Sequence, residues 1–155
     1  MIIASVLAGG KGSRMGNTET PKQYMMLGSR PIIVHTVEKF FVNPDVDKVV
    51  VLCPDVWVKQ TKDLIKKYIG DTDKISVISG GASRNDTLMC AIEFIEENYG
   101  LDDDTILLTH DAVRPFVTHR IINDNIEAVK KFGACDTVWG ATDTIVESVD
   151  GKIIS

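Results

Sequence analysis

Five short apolar runs punctuate the chain, at 2–7, 48–53, 75–78, 105–109 and 135–141, and between successive later runs lies a stretch whose apolar residues recur at helical spacing. The runs are near-continuously apolar rather than alternating, as expected of strands covered on both faces, which is the habit of parallel sheets. A helix over 32–41 carries Ile33, Val37, Phe40 and Phe41 on one stripe, with Pro31 suited to its first turn. A second carries Trp57, Leu64, Ile65 and Tyr68, with Asp55 as its expected cap and Gly70 as its end. A third starts at Ser83, turns Leu88, Met89, Ile92, Ile95 and Tyr99 inward and stops at Gly100; a fourth opens at Thr118, carries Ile121, Ile122, Ile126 and Val129 and ends at Gly133. Strand–helix alternation of this kind predicts an α/β, Rossmann-like fold: an open, mostly parallel sheet with helices on both faces. A turn signal at Val149-Asp150-Gly151-Lys152 predicts a short hairpin near the end.

In such sheets ligands gather at the carboxyl ends of strands, and the polar motifs fall there. The first strand runs into Leu7-Ala8-Gly9-Gly10-Lys11-Gly12-Ser13-Arg14-Met15-Gly16, followed by Pro21-Lys22-Gln23. Four glycines in eight residues let backbone N–H groups approach a ligand closely, and Lys11, Arg14 and Lys22 add positive charge. A strand feeding a glycine-rich basic loop suits a phosphate chain. The spacing excludes a P-loop, because Gly12 is followed by Ser13-Arg14. It also breaks the dinucleotide fingerprint, because Met15 stands where the third glycine belongs.

The pattern L-A-G-G-x-G-x-R-M followed by P-K is met at every fixed position. With Gly80-Gly81 and Arg84, His110-Asp111-Ala112-Val113-Arg114-Pro115 and Asp143-Thr144, the chain resembles the polyol-phosphate cytidylyltransferases along all 155 residues. The resemblance implies a nucleotide-diphospho-sugar transferase type of fold and transfer of CMP from CTP to a polyol phosphate. Lys11 to Asn17, Pro31 to Phe40 and Arg114 to Ile122 look closer to the branch acting on ribitol phosphate, which serves teichoic-acid and cell-wall synthesis, than to the methylerythritol-phosphate branch of isoprenoid synthesis. Family members are longer. Residues 1–155 therefore read as a single nucleotide-binding domain lacking the family's C-terminal part, with 144–155 the start of a hairpin arm. The family forms homodimers.

By the same resemblance, Arg14 and Lys22 stabilise the transition state at the α-phosphate, a guanidinium fork and a compact ammonium respectively. Leu7, Ala8, Gly9, Gly10, Lys11 and Gly12 hold the nucleotide. Gly80, Gly81 and Thr87 look like the cytosine-reading part, and Arg84 either touches CTP or braces that loop. Asp111 is expected to hold Mg²⁺. Asp111, Ala112, Arg114 and Thr144 meet the second substrate, Thr144 from a neighbouring subunit, with Asp143 orienting it. His110 is expected to be structural: a phosphate nucleophile has its second pKa near about 6 and needs no base.

Composition narrows the alternatives. A net charge of −5 argues against general nucleic-acid binding. No run has the length of a membrane span and no secretory pattern is evident, so the cytoplasm is the expected compartment. Cys53, Cys90 and Cys135 are odd in number and far apart, which predicts buried apolar residues rather than a metal or disulfide framework. Trp57 and Trp139 are expected in the core, and Asp102-Asp103-Asp104 in a solvated turn. Two other classes stay open on residues alone: a uridylyl- or adenylyltransferase with a related loop, and a noncatalytic nucleotide-binding module.

Overall fold

The computed structural model describes residues 1–10, 20–140, 144, 146–150 and 152–153. In chain order the elements are β1 (Ile2–Leu7), a 3₁₀ turn (Lys22–Tyr24), β2 (Met26–Leu27), β3 (Arg30–Pro31), α1 (Ile32–Phe41), β4 (Lys48–Cys53), α2 (Asp55–Tyr68), β5 (Ile75–Ser79), α3 (Arg84–Tyr99), β6 (Ile106–Asp111), α4 (His119–Phe132), β7 (Ser148–Val149) and β8 (Lys152–Ile153). Four strands form a parallel sheet in the order β5-β4-β1-β6.

Alternation along the strands divides the core in two. Ala4, Val6, Val49, Val51, Cys53 and Val77 face one layer, where Ile33, Val37 and Phe40 of α1, Ile65 of α2 and Ile122 and Ile126 of α4 cover them. Ile3, Leu7, Val50 and Leu52 face the other, covered by Ala91 and Ile95 of α3. Helices on both faces of a parallel sheet are the architecture that the apolar runs imply. Trp57 packs on the core, its ring stacked on Tyr24 at 4.5 Å.

Helix ends follow local chemistry in part. Ser83 caps α3 through a reciprocal capping box with Asp86, and the Thr118 hydroxyl accepts from the Ile121 N–H at the start of α4. Gly100 and Gly133 close their helices at φ +78° and +82°, a region that favours glycine. Asp55 does not cap α2. Pro54 holds the cap position in extended backbone and Asp55 is the first helical residue, where its carboxylate still complements the helix dipole.

Five other expectations are corrected. Residues 134–140 form neither helix nor strand and are exposed, so the fifth strand over 135–141 is absent among the described residues. A strand needs a pairing edge, and here Asn125 of α4 binds the segment instead, its Nδ2 donating to Thr137 Oγ1 at 2.7 Å. Trp139 is accordingly 90% exposed, and Cys135 is exposed while Cys90 is only partly buried. Met89 faces out, because α3 meets the sheet through Thr87, Ala91 and Ile95, a stripe of period four that leaves position 89 on the far side. Finally, β6 runs two residues past Thr109, making Asp111 a strand residue rather than a loop residue. The β2–β3 pair, turned by Gly28 at φ +64°, has no apolar run to announce it.

Candidate functional site

Strand register builds the site. Leu7 lies beside Asp111, so β1 and β6 finish level, and the ladder continues past the strand ends: Ala112 N–H donates to Leu7 O at 2.9 Å and Ala8 N–H to Leu52 O at 2.7 Å. The Gly80 N–H reaches Cys53 O at 2.8 Å and draws in the loop after β5. Three loops named from the sequence thus share one edge of the sheet.

At its centre, Gly9 and Gly10 are exposed. Neither has a positive φ, and a Cβ built on either meets no atom of the described residues within 4 Å. Among the described residues, neither backbone conformation nor packing demands glycine at these two positions. Lys11, Gly12, Arg14 and Asp143 lie outside the described residues. Lys22 is exposed and opens the 3₁₀ turn, which closes through Tyr24 N–H to Pro21 O at 2.9 Å and Met25 N–H to Lys22 O at 3.1 Å.

The loop after β5 is tightly wound. The Thr87 hydroxyl accepts from Gly81 N–H at 3.1 Å and donates to Ser83 O at 2.8 Å. A Cβ at Gly81 would fall 2.7 Å from the Asp86 carbonyl carbon, and one at Gly80 would fall 3.0 Å from the Thr87 methyl. Close passage of this loop over the start of α3 therefore demands glycine at 81 on structural grounds.

Asp111 joins two arginines. Arg84 Nη1 donates to its Oδ1 at 2.7 Å and Arg114 Nε to its Oδ2 at 3.0 Å. Partial burial would raise the Asp111 carboxyl, but hydrogen bonds and charge from Arg84 and then Arg114 outweigh it and hold the group below the usual carboxylate range. Arg84 braces the loop after β5 against the end of β6. Ala112 is buried, and its carbonyl accepts from Thr36 Oγ1 at 2.7 Å. His110 makes a 3.0 Å hydrogen bond between Nε2 and Arg114 O and tilts against the Phe40 ring at 5.2 Å, an arrangement that shapes the loop. Thr144 is exposed, and no hydrogen bond or ion pair joins it to Asp111 among the described residues.

For a metal, the described residues contain no cluster of three ligating side chains. A carboxylate has about four acceptor positions, and the two arginines occupy two at Asp111. The remainder fits a hard cation that takes most of its oxygens from phosphate and water. A groove of about 810 Å³ leads from Arg84 and Asp111 along the outer side of β6 past Phe116 and Ile121.

One residue with no assigned role in the sequence reading is Gln23. Its side chain is 2% exposed, and Nε2 donates to Ala8 O at 2.7 Å and Gly10 O at 3.2 Å. Its place directly after Pro21-Lys22 was a signal; its direction of folding was not.

The family model described as IspD, 2-C-methyl-D-erythritol 4-phosphate cytidylyltransferase, matches residues 2–155. A relative from Lactiplantibacillus plantarum, ribitol-5-phosphate cytidylyltransferase, is 52% identical over 153 residues, which is 99% of this chain and 65% of that protein. The chain therefore spans somewhat less than two thirds of that relative's length. Among solved structures, the 4-diphosphocytidyl-2C-methyl-D-erythritol synthase of Anaerococcus prevotii superimposes with a TM-score of 0.77 at 24% identity, over 99% of this chain and 61% of that one. Another 4-diphosphocytidyl-2C-methyl-D-erythritol synthase gives 0.74 at 20% identity, over 98% and 65%. At such identities these two likenesses speak for the fold.

Proposed function

The chain belongs to the IspD family of 2-C-methyl-D-erythritol 4-phosphate cytidylyltransferases, and on that premise we propose that it forms the nucleotide-binding part of a cytidylyltransferase that transfers CMP from CTP to D-ribitol 5-phosphate. The observation that supports the reading is the level ending of β1 and β6, with Leu7 paired to Asp111, so that the loop opening with Gly9 and Gly10 and the Asp111–arginine cluster leave the same edge of the sheet. The choice of ribitol phosphate rests on the 52% identical relative. The family model's own description favours methylerythritol phosphate as the second reading.

In this reaction a phosphate oxygen of the polyol phosphate forms a bond to the α-phosphorus of CTP, and the bond to the β-phosphate oxygen breaks, releasing pyrophosphate. The work of the protein is to position the reactants and to neutralise charge. Gly9 and Gly10, with Lys11 and Gly12, would receive the triphosphate; Lys22 and Arg14 would meet charge developing at the α-phosphate. Gly80, Gly81 and Thr87 would read cytosine, and Arg84 would brace their loop. Asp111 would hold Mg²⁺, which supplies charge neutralisation on phosphate oxygens. Arg114 and Ala112 would meet the polyol phosphate, with Thr144 completing that pocket in a homodimer of the full-length protein. The reaction would belong to the cytoplasm, and CDP-ribitol would feed teichoic-acid assembly.

The test is pyrophosphate release by the full-length protein with CTP, Mg²⁺ and either polyol phosphate. Turnover with ribitol 5-phosphate at least tenfold above methylerythritol phosphate is the expected result. The reverse preference establishes the second reading, and release with UTP or ATP in place of CTP overturns the nucleotide assignment.

A further inference from the structure

The two carbonyls that Gln23 contacts bracket Gly9. The Nε2 group carries two hydrogens, one for each carbonyl, so a single amide holds the Ala8–Gly9 peptide unit and the carbonyl of Gly10 two residues on. A buried amide is held this firmly because an unmade bond there is costly. Peptide planarity sets the Gly9 N–H antiparallel to the Ala8 carbonyl. Drawing that carbonyl toward Gln23 therefore aims the Gly9 N–H to the opposite side, away from Gln23.

The other end of the clamp is equally fixed. Gln23 follows Lys22 directly, inside the 3₁₀ turn. Tyr24, next in the chain, stacks on Trp57 at 4.5 Å and shares a 2.9 Å hydrogen bond with the Thr61 hydroxyl, which in turn donates to Trp57 O at 2.8 Å. The turn is pinned to α2 on one side and to the glycine loop on the other. Lys22 sits at the junction, exposed, and no side-chain hydrogen bond or ion pair holds its ammonium among the described residues.

We propose that Gln23 is a positioning residue: its side-chain amide fixes Lys22 relative to the peptide dipoles of the glycine loop, so that both address one phosphate group. The proposal rests on the reading of the protein as a CMP-transferring enzyme. It goes beyond that reading, because Gln23 is buried and would act through Lys22 rather than on a substrate.

The experiment is a kinetic cycle in the full-length protein with wild type, Gln23→Met, Lys22→Ala and the double variant. Methionine keeps the volume and removes both donors. An ångström of misplacement can cost on the order of a hundredfold; for a clamp one residue away we expect Gln23→Met to lower kcat about tenfold, with the KM for CTP moving less than about threefold. In the Lys22→Ala background the same substitution then costs at most about threefold, because the group it positions is gone. If Gln23→Met does not fold, Gln23→Glu, equal in shape and without a donor when ionised, is scored by the same criteria. Wild-type kcat in the variant, or an equal cost with and without Lys22, overturns the positioning role. A wild-type protein that transfers no CMP overturns the functional reading beneath it instead.

Discussion

Lys22 and Ser5 show two opposite fates of a polar side chain in this fold. Lys22 is exposed, and among the described residues no ion pair engages its ammonium. If it meets the α-phosphate in the transition state, Lys22→Ala lowers kcat by about a hundredfold, the scale for one preorganised electrostatic contact. Steady-state kinetics of the full-length protein check this, and an unchanged kcat removes Lys22 from the chemistry. Ser5 lies in the middle of β1, fully buried, and its Oγ has no hydrogen-bond partner among the described residues. By strand alternation it faces α3, between Ile3 and Leu7. An unsatisfied buried hydroxyl costs roughly 1–3 kcal/mol, and Ser5→Ala gives back part of that. The expected gain is about 1 kcal/mol, read in a melting experiment as a rise of about 2–4 °C; a fall in melting temperature would show that the hydroxyl is satisfied in solution.

The elements that sequence patterning located well are those whose pattern and environment agree. Ile2–Leu7, Ile32–Phe41 and Lys48–Cys53 appear with the bounds that their residues imply, since buried parallel strands and an amphipathic helix need only burial to form. The segment 135–141 is as apolar as those strands, yet strand formation depends on a partner edge that periodicity cannot supply. The end of β6 differs for the opposite reason: Asp111 looks like a loop residue, but pairing of His110 with Val6 and Asp111 with Leu7 extends the strand through both. The same limit applies to the site. Glycine, Arg84 and Asp111 were legible as motifs, whereas the grip of Gln23 on the glycine loop depends on how the 3₁₀ turn folds back, which no spacing rule reports. The loop before α3 tests such packing directly. Gly81→Ala forces a methyl against Asp86 and costs about 1–3 kcal/mol, the range for overpacking. Ser83→Ala, two residues further along at the cap, costs only about 1 kcal/mol. Chemical denaturation ranks the two, and a milder effect at Gly81 than at Ser83 would mean that the loop yields freely.

Across the whole molecule, the bond from Arg84 to Asp111 ties the first turn of α3, which leaves the β5 edge, to the end of β6 at the opposite edge of the sheet. The sheet thus has two independent supports at its carboxyl end: the ladder extensions through Ala8 and Ala112, and this ionic strap with Arg114 as its second anchor. Only the second depends on pH. Burial raises the folded Asp111 carboxyl, but the two guanidiniums outweigh it and hold the group below the usual carboxylate range. A carboxylate with a depressed folded pKa contributes stability that is fully present above its unfolded pKa and is lost as pH falls through the folded one. The arginine side chains are 59% and 73% exposed, so solvent screening keeps the contribution within about 1 kcal/mol. Asp111→Asn should therefore lower stability modestly near neutrality. The gap between variant and wild type should close as pH drops from about 4 toward the lower folded value, and raised salt should narrow it throughout. Denaturant titrations of both proteins across that window decide the matter: a gap that persists unchanged below the folded pKa would assign the strap to shape and packing rather than to charge.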